Sequence, residues 1–229
     1  RLTYFSITSD WEWYDRIVKG LSLNSYYTAD SYSTRENEIS FTSKFQFDFG
    51  SIHLNAIPKI SILSTTFKED FYTRLENELF SGIGGVSLYS SKEKGRFKFR
   101  LGIQSYFITG DNYAEKNLYY FPDIMITFKP ENSNFAPFLN LNGEFYQNSF
   151  RALSHINPYV APAIRLRSSF SPYKIELGTR SSLSNGWELQ WNLFYLSEEN
   201  RPMFRNFGKS YDVNNIIPYR FGNSFEVLY

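Results

Sequence analysis

Glu38-Ile39-Ser40-Phe41-Thr42-Ser43-Lys44-Phe45-Gln46-Phe47-Asp48-Phe49 is the stretch on which the reading of this chain turns. Ile39, Phe41, Phe45, Phe47 and Phe49 alternate with Glu38, Ser40, Thr42, Lys44, Gln46 and Asp48, and Ser43 is the one polar interruption of the apolar side. Successive side chains of a strand point to opposite faces, so this is a strand with one apolar and one polar face. Its 12 residues exceed the usual length of a globular strand, about five or six.

The pattern recurs along the chain. Phe97, Phe99, Leu101, Ile103 and Phe107 alternate with Arg96, Lys98, Arg100, Gly102 and Gln104. Ile52, Leu54, Ala56, Pro58, Ile60 and Ile62 face away from His53, Asn55, Lys59 and Ser61. Leu118, Tyr120, Pro122, Ile124, Ile126 and Phe128 repeat it, as do Val160, Pro162, Ile164 and Leu166 against Arg165 and Arg167. Tyr173, Ile175 and Leu177 oppose Lys174, Glu176 and Arg180. Trp187, Leu189, Trp191, Leu193 and Tyr195 oppose Glu188, Gln190 and Asn192. The last run sets Phe221, Phe225, Val227 and Tyr229 against Arg220, Ser224 and Glu226. Turn residues at 92–95, 130–134, 171–172 and 184–186 predict short links. Longer links fall near 64–70, 109–117, 147–158 and 197–218. The count is roughly twelve strands in a single domain over 1–229, with no helix-period segment. Short links at one end and long ones at the other are the asymmetry of an outer-membrane barrel.

Composition narrows the choice. The 229 residues include 23 Phe, 18 Tyr and 4 Trp, which rules out a disordered chain. With no cysteine, disulfides, thiolate metal sites and a thiol nucleophile are excluded. A net charge of +1 argues against a nucleic-acid surface. Mean hydropathy is −0.40, and no run reaches the roughly 18 apolar residues of a spanning helix. The chain opens at Arg1 without an initiator Met or a signal-peptide pattern, as a processed or partial chain would.

A soluble sandwich also alternates, but its strands are shorter and its core is a Val/Ile/Leu mix. Here the strands are long, their apolar positions are crowded with large rings, and aromatics gather at strand ends. Trp11, Trp13, Tyr26, Tyr27, Tyr72, Tyr119, Tyr120 and Tyr195 are the candidate interfacial girdle. The expected fold is an all-β antiparallel transmembrane up-and-down barrel. Its polar face would line the lumen, with Lys44, Asp48, Lys98, Arg100, Arg165, Arg167, Glu176, Arg180, Arg220 and Glu226 as candidate lining residues. That much charge does not suit a dry, packed interior. Pro58, Pro122 and Pro162 interrupt good strands and point to bulges, strand ends or an edge.

Covalent chemistry finds little support. His53 sits on a polar strand face two residues from Asn55, without a serine placed beside it, and His155 follows Ser154 in a loop. The acidic pairs Glu36/Glu38, Glu69/Asp70, Glu76/Glu78 and Glu198/Glu199 read as solvated carboxylates, with weak calcium or lipopolysaccharide bridging as the sharper alternative. Gly82-Ile83-Gly84-Gly85 lacks the Lys-Ser/Thr pair of a phosphate loop. Phe225-Glu226-Val227-Leu228-Tyr229 alternates up to a terminal aromatic, as in the strand read by the barrel assembly machinery. No metal or cofactor is expected.

Several stretches resemble a known family: Asn148-Ser-Phe-Arg-Ala-Leu153, Asn157-Pro-Tyr-Val-Ala-Pro162, Tyr173-Lys-Ile-Glu-Leu-Gly178, Ser197-Glu-Glu-Asn-Arg-Pro-Met-Phe204 and Asn223-Ser-Phe-Glu-Val227. Together they resemble the barrel region of Bacteroidota outer-membrane proteins grouped with TonB-dependent receptors or porins, over roughly residues 135–229. The resemblance implies uptake of a solute, and in the receptors a 22-strand barrel with a plug. This chain has fewer strands and no plug, so it would be part of such a barrel or a smaller relative. The expected function is passage or uptake of a solute through a polar lumen in a Gram-negative outer membrane. The alternative is a barrel that anchors a larger outer-membrane complex. Expected partners are outer-membrane lipid and lipopolysaccharide, the assembly machinery, and further outer-membrane or periplasmic subunits, with no nucleic acid.

Overall fold

The structure, a computed structural model, describes residues 2–14, 17–31, 33–50, 52–68, 77–111, 117–131, 134–157, 160, 167–182, 187–206 and 225–228. The strands are β1 (Leu2–Glu12), β2 (Val18–Asp30), β3 (Thr34–Phe49), β4 (Ile52–Phe67), β5 (Asn77–Lys94) and β6 (Phe97–Gly110). They continue with β7 (Leu118–Phe128), β8 (Phe135–Tyr146), β9 (Ser169–Ser182), β10 (Glu188–Glu199), β11 (Met203–Asn206) and β12 (Phe225–Leu228), and one helix, α1 (Phe150–Ile156), lies between β8 and β9. β1 to β10 form one sheet in strict chain order, each strand antiparallel to the next. The chain is thus an all-β antiparallel meander. Ten strands are joined in this sheet, fewer than the roughly twelve expected from sequence, and β11 and β12 make a separate ladder. Hydrogen bonds among the described residues do not close the sheet, and β1 and β10 are its edges.

Link lengths follow the turn chemistry. The two-residue links 50–51 and 95–96 each place a glycine at positive φ, 62° for Gly50 and 60° for Gly95, as tight hairpins demand. They share one end of the sheet with 13–17, 129–134 and 183–187. The other end carries 31–33, 68–76, 111–117 and the longest link, 147–168.

Proline places the irregularities. The β3–β4 ladder runs to Thr42↔Lys59 and resumes at Phe45↔Ala56, skipping Pro58. The β7–β8 ladder stops at Asp123↔Asn142, just short of Pro122, although both strands continue. A residue without an N–H cannot donate to a ladder. Ser171-Pro172, expected as a turn, lies inside β9. There β9 is one residue out of step with both neighbours, between Asn142 and Glu144 of β8 and between Ser197 and Glu199 of β10. The strand expected over 160–167 falls largely outside the described residues, which here include Val160 and Arg167.

The sheet is curled. Gln147, one residue past β8, bonds through its side chain to Ser61 of β4 and Ser81 of β5. The backbone N–H of Phe150 reaches Glu36 on β3. Five strand spacings along a flat sheet from β8 to β3 would be about 24 Å. The four residues from Tyr146 to Phe150 extend at most about 14 Å, so the β3 end of the sheet bends toward β8.

The faces are the reverse of those in a water-soluble sandwich. Leu101, Ile60 and Leu177 on the apolar face are 59%, 54% and 50% exposed. On the polar face Glu36 is 1% exposed, Thr65 0% and Asp123 5%. The buried apolar residues lie largely on that polar face, in a cluster of Ile83, Ile108, Tyr119, Phe121 and Phe145.

Candidate functional site

The polar face carries the candidate lining residues. Its even-numbered positions on β3 include Glu36, Glu38, Lys44 and Asp48. Register continues them onto Ser61 and His53 of β4, Ser81 and Ser91 of β5, and Lys98 and Arg100 of β6. Asp123 follows on β7, then Asn140 on β8, then Glu176 and Arg180 on β9. Lys44, Asp48, Lys98, Arg100, Glu176 and Arg180 therefore share one face, as the alternation predicts. Arg167 precedes β9, where its carbonyl accepts from Asn148 Nδ2. Glu226 sits on β12, apart from the main sheet. Arg165 and Arg220 lie outside the described residues.

Most of these charges meet a partner. Arg100 pairs with Asp123 at 2.5 Å and its guanidinium lies 3.8 Å from the Tyr89 ring centroid. Lys98 reaches Glu93 at 3.3 Å, Glu176 accepts from Asn192, and Arg180 sits over Phe138. Arg100 and Lys98 are offset by acidic neighbours, while Glu176 and Arg180 keep opposite charges, so the face carries both signs.

Asp48 meets His53 Nδ1 directly across the β3–β4 ladder, and Ser91 is the next residue in register on β5. His53, Ser91, Lys92, Glu93 and Lys98 line a cavity of about 360 Å³ at the short-link end. Among the described residues no hydrogen bond joins Ser91 to His53. The Asp48 and His53 side chains are 60% and 53% exposed, which leaves the row in water.

The long-link end of the face is covered by α1, which periodicity did not reveal. Ser149 caps it, its Oγ accepting from Ala152 N at 3.1 Å. Glu36 supplies the second cap. Its carboxylate accepts from Phe150 N at 2.7 Å, Arg151 N at 2.8 Å and Thr65 Oγ1 at 2.8 Å. Glu38 takes the Arg151 guanidinium at 2.7 Å, and that group also stacks over Tyr26 at 4.0 Å. Phe150 packs edge-on against Phe67, and His155 stacks on Tyr4 of β1 at 4.7 Å. Seven residues make only two turns, too few for a readable period, and the Ser149 cap was the one local signal.

Two girdle assignments need correction. Tyr26 stands on the polar face under Arg151. Tyr119 is buried in the aromatic cluster of that face, 4.7 Å from Phe170. The adjacent odd or even position decides the face, so their neighbours Tyr27 and Tyr120 stand on the apolar side. Trp11 and Tyr195 are on the apolar face, Tyr195 stacked with Tyr173. Trp13 lies in the β1–β2 link, and Tyr72 lies outside the described residues.

The apolar face is banded. Tyr27, Tyr120, Tyr173 and Tyr195 stand toward the long-link end. Trp11, Phe49, Phe97, Phe128, Phe135 and Trp191 stand toward the short-link end. Between them the side chains are mostly aliphatic, Leu23, Ile39, Ile60, Ile62, Leu101, Ile103, Leu139, Leu177 and Leu193, with Phe41 set between Leu23 and Ile60. No family model, no curated protein and no solved structure matches this chain.

Proposed function

We propose that the chain is the wall of an outer-membrane β-barrel through which a solute passes along the polar face, with no covalent step. The carrying observation is the inversion of burial. A mostly aliphatic band between two aromatic bands faces outward, and carboxylates, hydroxyls and amides face inward. In water such a surface is a large unpaid exposure of apolar area, whereas lipid is its natural solvent. Phe97 and Phe107 on β6 are ten residues apart, about 34 Å along a strand. At a tilt of about 45° that is about 24 Å of height, close to the roughly 25 Å apolar band of outer-membrane barrels. Backbone groups in lipid need partners, so the free edges of β1 and β10 would be joined to each other or to further strands.

Segment 147–157 lies across the inner face and narrows the path. Both signs on the face leave it weakly selective for charge. The test is reconstitution into planar bilayers and sugar-loaded liposomes. Discrete conductance steps and sugar-dependent swelling are expected. Electrically silent bilayers and no swelling, from protein that inserts, would remove the passage reading. The second reading, an anchor for a larger envelope complex, draws on the two unpaired edges. It predicts such silence together with co-extracted subunits.

A further inference from the structure

The apolar face changes character along β5 as it nears the short-link end. Leu88 stands opposite Ile103, Ser90 opposite Leu101, Lys92 opposite Phe99 and Lys94 opposite Phe97, so these four are successive positions of that face. An aliphatic side chain gives way to a hydroxyl and then to two ammonium groups. On β6 the same direction runs from Ile103 and Leu101 to Phe99 and Phe97, and on β7 from Ile124 and Ile126 to Phe128. The Phe97 ring packs on Phe99 at 5.8 Å and on Phe128 at 4.9 Å. Two lysines thus border a patch of three phenylalanines at the rim of the wall.

No carboxylate of this wall offsets the two lysines. Glu93, between them, belongs to the other face and takes Lys98 at 3.3 Å, and Glu131 in the next link takes Arg96 at 2.8 Å. Lys92 and Lys94 are exposed, about 7 Å apart along the strand, and have no ion pair among the described residues. Lys92 also borders the inner cavity beside Ser91 and Glu93, which places it where the two faces meet. The opposite end of the same face carries both signs, since Thr66 has Arg35 on one side and Glu78 on the other. A lysine on a lipid-facing surface lays its stem along apolar area and keeps its ammonium among the headgroups, the level that aromatic rings also favour. Short turns of an outer-membrane barrel face the periplasm, so the leaflet met at this end is glycerophospholipid. We infer that the short-link rim of β5, β6 and β7 binds an anionic glycerophospholipid, its phosphodiester between Lys92 and Lys94 and its glycerol and upper acyl carbons against Phe97, Phe99 and Phe128. The inference rests on the reading of the sheet as a membrane wall, and it names the lipid class and the leaflet.

The test is native mass spectrometry of the full chain released from nanodiscs that hold phosphatidylglycerol and phosphatidylcholine in equal amounts. The two lipids share the phosphodiester, and only the second carries a compensating ammonium. Phosphatidylglycerol should stay bound about tenfold more often, from about fivefold per lysine less the part lost to screening. Lys92→Gln/Lys94→Gln should bring the ratio to within about twofold of unity. Arg35→Gln, the same loss of charge at the opposite end, should leave it unchanged. Equal retention of the two lipids, or a preference that survives the double substitution, would overturn the inference. Nanodiscs with lipid A in place of phosphatidylglycerol test the source of the phosphate. Stronger retention of lipid A, lost in the same double variant, would overturn the assignment to glycerophospholipid. Protein that inserts and shows no preference removes only the lipid site, and protein that does not insert into bilayers removes the membrane wall as well.

Discussion

Glu36→Gln tests whether α1 is clamped to the sheet by one carboxylate. The Glu36 side chain accepts three hydrogen bonds, two of them from the first backbone N–H groups of the helix. A glutamine keeps one acceptor oxygen and turns an NH2 group toward a buried donor. One charge-assisted bond is lost, at about 1.5–3 kcal/mol, and the others drop to neutral strength. The docking of α1 should weaken by about 3 kcal/mol, a factor of about 150 in its opening equilibrium. The assay is hydrogen exchange in detergent micelles, followed by mass spectrometry of peptides covering 147–157. Amides of Phe150, Arg151, Ala152 and Leu153, each bonded in the native structure, should exchange about a hundredfold faster. A peptide from β9 (Ser169–Ser182) should be unchanged. Less than a threefold change at 150–153, or equal acceleration across the sheet, would refute the clamp. If the segment narrows the path, the same variant should also show larger conductance steps.

Leu101→Lys places a charge in the middle of the aliphatic band. It should cost about 2–4 kcal/mol in reversible folding into lipid vesicles, against about 0.5 kcal/mol or less for an exposed site in water. A denaturant titration in vesicles distinguishes the two. Arg100→Ala strands the Asp123 carboxylate, whose side chain is 7% exposed, and should cost about 3 kcal/mol. That is the low end for a broken buried pair, because the guanidinium is one-third exposed. The double variant Arg100→Ala/Asp123→Asn should recover much of the loss in the same titration. Gly102→Ala would put a Cβ 2.5 Å from the Leu88 carbonyl oxygen and 2.6 Å from Tyr89 Cβ. The β5–β6 ladder must shift, at about 1–3 kcal/mol, and a thermal melt lowered by only a degree would argue against this packing.

Most of the strands were legible because alternation is a local property. Ile39, Phe41 and Phe45 declare their face through their neighbours, whatever lies across the sheet. Tyr26 and Tyr119 lie near strand ends, but the same parity puts them on the polar face and out of the girdle. Ser171-Pro172 reads as a turn in isolation and is a bulge in β9, because the ladders on both sides step around the proline. α1 escaped notice because two turns carry no period and its hold on the sheet is tertiary.

The sequence by itself determined that long strands form, that each has one apolar and one polar face, and that a tight link closes at Gly95. These follow from side-chain alternation and from glycine's access to positive φ, which act over a few residues. Only the tertiary structure decided that Glu36 meets Phe150, 114 positions away, that Arg100 pairs with Asp123, and that β7 parts from β8. The contact of Glu36 with Phe150 depends on how strongly the sheet curls. Curl brings distant side chains within hydrogen-bond reach, and a period of two holds no information about it.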